Sequence, residues 1–414
     1  MRIVCALTIG DAIQVATRTT ITPMQATIAS RVAVCFAVIQ CFFALGWTVY
    51  VLFLPELLAR AGVDKSWMPW VLALDQLIFA CADLAMGLAV DRARAGLRRI
   101  GPMLLGLTAL SSLAMLLMPT ASGFGGGVFL AITITWVATS AALRAPPFAL
   151  LGSYAAKPEQ SRQAALQLFG LALAAALAPY LGLTLKGIDP ALPFALASAA
   201  ILVSSGGLVW AERQLTRLAP SERGAGIPLP FTSSAALLMM MALLLAALGF
   251  QLHVAINAAA QIKRVADAGM LPVLLPVFWA GFAFGLLPTG ALVKRFGDAR
   301  SAALGCLIGA LSLVASTYAT SIQMLATAHA LAGVGWALTM ANGIGLATAS
   351  GRAGAEGRYT SLFFCVLALG TLGRIAVSLS GVPQTLPDVV HWLPVIAWMG
   401  AALLLFQVAR RRLS

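Results

Sequence analysis

Four ionisable side chains sit inside long apolar stretches of this sequence: Asp75 and Asp83 within residues 67–90, Arg144 within 125–152 and Arg374 within 359–380. A charge in hydrocarbon costs about 3 kcal/mol or more unless it is paired or faces a polar cavity, so each of the four marks a functional contact. The chemistry open to carboxylates and guanidinium groups there is to bind and release protons or ions, or to make and break ion pairs. Bond-making catalysis is not suggested. The sequence has no nucleophile–base grouping, no phosphate-cradling glycine loop and no metal-ligand spacing. Its six cysteines fit neither a disulfide framework nor a metal site. No enzyme activity and no cofactor are expected.

The elements that must hold these charges follow from composition. Hydrophobic residues make up 60% and charged residues 10% of 414, and the mean hydropathy is +0.93, far outside the soluble range. Twelve apolar stretches are long enough to cross a bilayer: 32–57, 67–90, 101–119, 125–152, 163–186, 191–211, 234–260, 271–293, 301–319, 322–348, 359–380 and 391–409. In lipid, helices satisfy their own backbone groups, so the expected class is all-α integral membrane, with twelve transmembrane helices in two pseudo-symmetric six-helix bundles. Residues 32–211 and 234–414 would form the bundles, joined by a cytoplasmic linker at 212–233. Residues 1–31 read as a tail, its first 23 residues disordered or placed before the true start at Met24. The net charge of +13 does not point to nucleic acid, because the basic residues sit in short loops on alternate sides. With both termini inside, twenty Lys and Arg fall on the cytoplasmic side and five outside, which sets the orientation.

Two of the loops repeat. Gly87-Leu-Ala-Val-Asp91-Arg92 runs on to Arg98 and Arg99, and Gly290-Ala-Leu-Val-Lys294-Arg295 runs on to Gly297 and Arg300. Gly87 pairs with Gly290, Asp91 with Lys294 and Arg92 with Arg295, at an offset close to half the chain. A chain built twice over is how many secondary transporters are made. The loop resembles the signature between helices 2 and 3 of the major facilitator superfamily, repeated there between helices 8 and 9, apart from about two extra residues before Gly96.

A finer resemblance covers about residues 80–165. Ala82-Asp83-Leu-Ala-Met86-Gly87, then Asp91-Arg92, Arg98 to Pro102 and Arg144-Ala-Pro-Pro147, is similar to the glycoside–pentoside–hexuronide:cation symporters. Two departures stand out. Phe79 replaces that family's second acid on helix 2, and Arg144 lies beside the place of its acid on helix 4. A guanidinium near Asp83 would repel a sodium ion by about 4 kcal/mol at 4 Å and an effective dielectric near 20. The expectation is therefore sodium-independent transport with protons as the driving ion. Asp75 and Arg374 fall at matched depth near the outer surface, Asp83 and Arg144 at matched depth near the inner one, which predicts two ion pairs, the outer one a gate between the halves. The superfamily resemblance implies that Asp91 latches the inner side against the start of the eleventh stretch, near Arg358 to Ser361, with Arg92, Lys294 and Arg295 completing the coupling and gating set. Ala178-Pro179-Tyr180-Leu-Gly182 resembles, in degraded form, a motif of drug:proton antiporters.

The same resemblance implies that stretches 1, 4, 7 and 10 line the cavity. They supply Gln40, Trp47 and Tyr50; Trp136; Gln251, His253 and Asn257; and Trp336 and Asn342. Aromatic faces and amides suit a small polar organic solute. The expected function is proton-coupled uptake of such a solute by alternating access, by a monomer in the cell (inner) membrane whose partners are solute, protons and lipid. The alternatives are a proton-coupled exporter of amphiphilic compounds and a non-transporting membrane receptor or scaffold. The charge asymmetry yields a direct prediction: a reporter fused after Ser414 is active only in the cytoplasm, and activity confined to the outside refutes the topology.

Overall fold

The protein is described by a computed structural model covering residues 23–96, 100–152, 157–215, 233–351 and 354–411. All regular structure among these residues is helical. Twelve helices are long and apolar enough to cross a membrane: α1 Ile28–Arg60, α2 Lys65–Arg92, α3 Ile100–Phe124, α4 Gly126–Gly152, α5 Glu159–Thr184 and α6 Ala191–Leu215 in the first half. The second half holds α7 Ser234–Val265, α8 Ala268–Leu286, α9 Asp298–Thr317, α10 Ile322–Ser350, α11 Glu356–Leu379 and α12 Pro387–Arg411.

Several boundaries differ from the sequence reading, each for a local reason. The first helix starts at Pro23, so residues 23–31, read as tail, are helical; a proline fits a first helical turn because its missing N–H has no partner to lose there. Residues 1–22 lie outside the described residues. The sixth helix runs on to Leu215, because Glu212 accepts the exposed backbone N–H groups of Ile100 and Gly101, each at 3.0 Å. That anion sits at the N-terminus of α3, where the helix dipole favours it. The rest of the expected linker, 216–232, lies outside the described residues. The seventh helix reaches Val265 through a π-helical turn at His253–Asn257. Arg264, assigned to an outer loop by sequence, closes that helix by donating to Ser316 O at 2.9 Å and Ala319 O at 3.3 Å. The eighth stops at Leu286 and resumes as Thr289–Phe296, broken at Pro288, which has no N–H to continue the ladder.

Two cores result. One is built from α1–α6 around Tyr50, Phe129, Trp136 and Phe194. The other is centred on α7–α12 around Phe282, Trp336, Phe363 and Trp398, and also takes in Phe148 of α4 and Leu168 of α5. Without a hydrophobic drive between helices in lipid, close backbone approach does the packing. A Cβ on Gly305 of α9 would lie 2.6 Å from Gly335 O of α10, and one on Gly335 would lie 2.6 Å from Gly305 O.

Between the bundles α2 packs on α11, and α5 on α8 and α10. The first two pairings are images of each other under the internal repeat. The halves meet at the face that carries Arg92, Arg162, Lys294 and Arg358, called here the basic face. Phe148 meets Phe364 with ring centres 5.2 Å apart, and added Cβ atoms on Gly152 and Gly345 would strike Thr348 and Ser161 across the halves. Toward the opposite face the halves part. On α10, Met324, Leu331, Leu338 and Gly345 share one side at seven-residue spacing; the first two are 42% and 47% exposed, whereas Leu338 is 2% exposed and Gly345 is buried. A cleft therefore opens away from the basic face.

Candidate functional site

The ion pair nearest the basic face is built on a helix break. The fourth span is helical over Gly126–Ser140, turns as a 3-10 segment at Ala141–Leu143 and resumes at Ala145–Gly152. Pro146 and Pro147 cause this, since neither can donate to a carbonyl four residues back. The Leu143 carbonyl that Pro147 cannot reach accepts the Gln40 amide from α1, which also lies 3.5 Å from Arg144 O. Gln40, expected to bind solute, is thus a buried cap for broken backbone. The break aims Arg144 at Asp83 on α2, with Nη2 to Oδ2 at 3.3 Å. The guanidinium also lies over Phe79, 4.1 Å from the ring centre, so the phenylalanine that stands where the symporter resemblance expects an acid gives the cation a π face instead. Asp83 is fully buried, and a cation occupies its side.

Asp75 lies two turns along α2 toward the open face. It is buried and accepts Tyr50 Oη at 2.8 Å. Tyr50, Trp47, Trp136 and Phe79 form one aromatic group: Trp47 stacks on Trp136 at 5.6 Å, and Tyr50 lies 4.7 Å from Trp136. Tyr50 and Trp136 are buried in the first core; Trp47 is partly accessible. Arg374, the expected partner of Asp75, is half-buried on α11 and has neither hydrogen bond nor ion pair with any described residue. The expected ion pair between Asp75 and Arg374 is absent among the described residues, although α2 and α11 pack together. Arg374 is left as an unanswered cation.

In the second bundle most of the expected lining residues hold helices together. Asn257 donates to Val390 O at 3.3 Å and His391 O at 3.2 Å, closing the π-turn of α7 onto α12. Trp336 is buried, stacked 4.4 Å from Phe250 and 6.3 Å from Trp398. Asn342 donates to Leu338 O of its own helix at 2.7 Å. His253 is buried beside His329. Of the second-half set only Gln251 is partly accessible. Sequence placed these residues on the right helices but could not tell their inward faces from their cleft faces.

At the basic face the two repeated loops make different contacts. Asp91 accepts Gly357 N at 2.7 Å and Arg358 N at 2.9 Å, the exposed donors of the first turn of α11, where a carboxylate is favoured. The approach requires glycine, since a Cβ on Gly87 would lie 2.6 Å from Gly357 O. Lys294, the repeat of Asp91 with charge reversed, cannot bind a helix N-terminus. It meets Glu159 in the first turn of α5 at 3.6 Å instead. Glu159 also takes Arg162 Nη1 at 2.7 Å, and Ser161 bonds Asp298 across the halves. Arg92 is exposed; Arg295 is exposed and 5.1 Å from the Phe296 ring centre. Ser161 and Asp298 were missed by the sequence reading, although Asp298 directly follows the glycine of the second loop.

The sequence profile of the Major Facilitator Superfamily matches residues 36–373. The chain belongs to that superfamily. No curated protein matches it in sequence. Among solved structures it is similar to a bacterial homologue of the iron transporter ferroportin in its outward-facing state (TM-score 0.71, 14% identity, 92% of this chain and 100% of that one). It is also similar to the human organic anion transporter MFSD10 (TETRAN) (TM-score 0.67, 16% identity, 92% and 98%). The Escherichia coli fucose:proton symporter FucP is a third (TM-score 0.64, 13% identity, 92% and 98%). These likenesses give the fold. As a Major Facilitator protein this chain is a multi-pass membrane transporter and not an enzyme.

In that transporter the Asp83–Arg144 contact predicts a measurable asymmetry. Arg144→Ala strands a buried carboxylate and lowers stability by about 3–5 kcal/mol, whereas the double change Asp83→Asn with Arg144→Gln costs less than the single one. Thermal unfolding of the purified variants reads this, and equal losses in the single and double variants contradict the pairing.

Proposed function

We propose that this chain is a proton-coupled carrier of a small organic anion, taken up by alternating access, with the basic face cytoplasmic and the cleft open to the outside. The observation that carries the reading is Arg374, a half-buried guanidinium with no partner among the described residues, on the helix that closes against α2. Of the other intramembrane charges, Asp83 faces Arg144, while Asp75 has a hydrogen bond from Tyr50 and no cation among the described residues. An uncompensated cation beside a cleft favours a solute carboxylate, which a guanidinium can hold with two parallel hydrogen bonds. Trp47 and Gln251, the accessible members of the expected lining, add a face for stacking and an amide.

The driving ion follows from charge. An anion entering a negative interior works against about 2.3 kcal/mol per charge per 100 mV, a cost that one accompanying cation per charge removes when no anion leaves in exchange. The segment that resembles glycoside–pentoside–hexuronide:cation symporters lacks their negative pocket here, because Arg144 and Phe79 stand in it, which supports protons over sodium. The basic face is assigned to the cytoplasm on the Lys and Arg distribution. When the outer side closes without solute, Asp75 replaces the solute carboxylate beside Arg374, so the empty carrier also returns with its cation neutralised. The similarity to an organic anion transporter and a fucose:proton symporter is compatible with both parts of the proposal.

A thermal-shift screen of the purified protein tests the solute class, since a ligand of the folded state raises the melting temperature. Small carboxylates raise it, their neutral amide or alcohol analogues do not, Arg374→Gln abolishes the effect and Arg374→Lys keeps part of it. Stabilisation by neutral sugars or cationic amphiphiles that survives Arg374→Gln refutes the proposal. The latch has its own test. Asp91→Asn frees the first turn of α11, so a cysteine placed at Thr348 is labelled faster by a membrane-impermeant reagent from the cytoplasmic side. Unchanged labelling removes the latch role.

A further inference from the structure

The chain has three histidines, and the fold gathers all of them in the second bundle: His253 on α7, His329 on α10 and His391 on α12. The rings of His253 and His329 stand perpendicular, 88° apart, with centres at 5.0 Å. His329 Nε2 is 2.9 Å from Gln261 Oε1. His253 is 1% exposed, and neither of its ring nitrogens bonds any described residue. It opens the π-turn His253–Asn257, a rare helical form that recurs at functional sites. Asn257 ends that turn and also lines a cavity of about 280 Å³ bounded by Arg264, Thr317, Asp388 and His391. His391 Nε2 lies 2.6 Å from Thr317 Oγ1 in its wall. Asn257 and His253 thus stand at the two ends of one π-turn, the first in the cavity wall and the second in the buried pair.

We propose that His253 and His329 are the proton-binding site of the carrier, sharing one proton that enters through this cavity, inside the second bundle and apart from the central cleft. The inference rests on the proton-coupled reading above and names the groups that would perform it. Uptake converts a neutral imidazole and a hydronium ion into an imidazolium and water. Two imidazolium rings at 5.0 Å repel, so the pair takes a single proton. The groups packed around it set the balance: Phe278 of α8 lies 5.8 Å from His253, Gln261 and Arg264 follow on α7, Thr317 ends α9, Asp388 and His391 begin α12, and Arg374 is on α11. Only Asp388 among these is an acid. A proton on the pair therefore adds positive charge to the bundle that carries Arg374, which strengthens anion binding there, and the anion strengthens proton binding in return.

The chain's histidine count makes the test direct. The full-length protein in lipid nanodiscs, labelled with ¹⁵N-histidine, gives three imidazoles, assigned by single His→Gln variants and titrated with acid. The expected result is that His253 and His329 together gain one proton as the pH is lowered, and that His329→Gln shifts the His253 midpoint by about one unit or more. Gln261→Leu, which removes the acceptor beside His329 and leaves both rings, changes the tautomer signature of His329 and gives a second route if His329→Gln does not fold. Rings that stay neutral throughout, or titrate independently, overturn the inference whatever transport does. In proteoliposomes, acid-driven uptake of a carboxylate found in the thermal-shift screen is lost in His253→Gln and His329→Gln. Uptake indifferent to a pH gradient overturns the proton-coupled reading itself, and the role of the pair falls with it.

Discussion

In a bilayer every charge and every free backbone group must find its answer inside the protein, and the architecture here is a set of such answers. The clearest is the break in α4. Pro146 and Pro147 orient Arg144 toward Asp83, and the break is tolerable because Gln40 caps the carbonyl it exposes. A side chain on α1, a proline pair on α4 and a carboxylate on α2 thus form one unit, and the first bundle is held around it.

The same constraint shapes the junction between the bundles. The internal repeat supplies a loop at each end of the basic face, but the charge at its centre is reversed. Asp91 takes the N-terminal donors of α11 directly, whereas Lys294 needs an acid from the first turn of α5. The Asp91 contact uses fixed backbone donors; Lys294 reaches Glu159 at 3.6 Å through a side chain that is 63% exposed, and a pair with so exposed a partner contributes little. The closed basic face is therefore held more firmly on the α2–α11 side, the same pair of helices that carries Asp75 and Arg374.

Asp75 and Arg374 also mark where the accounting is incomplete in this form. Both lie on their helices away from the basic face; Asp75 is bonded by Tyr50, and Arg374 has no described partner. A conformational cycle can use such a group, because its free energy differs between open, loaded and closed states.

Sequence by itself determined the membrane class, the twelve spans, the twofold repeat and the identity of the intramembrane charges. Hydropathy and the cost of burying charge act residue by residue and can be read along the chain. Helix direction fixes depth and so put Asp83 level with Arg144, while the superfamily resemblance implied Asp91 near the start of α11. Only the tertiary structure decided which polar residues are buried against neighbouring helices and which stay accessible. Gln40, Tyr50, Trp136, Asn257, Trp336 and Asn342 sit on the expected helices but are turned into helix contacts, and two spans change phase at a π-turn and a proline break that no regular periodicity predicts. Rotation about the helix axis is set by packing against neighbours, and those neighbours come from distant sequence. For the same reason only the fold could bring the rings of His253 and His329, far apart in the chain, to 5.0 Å.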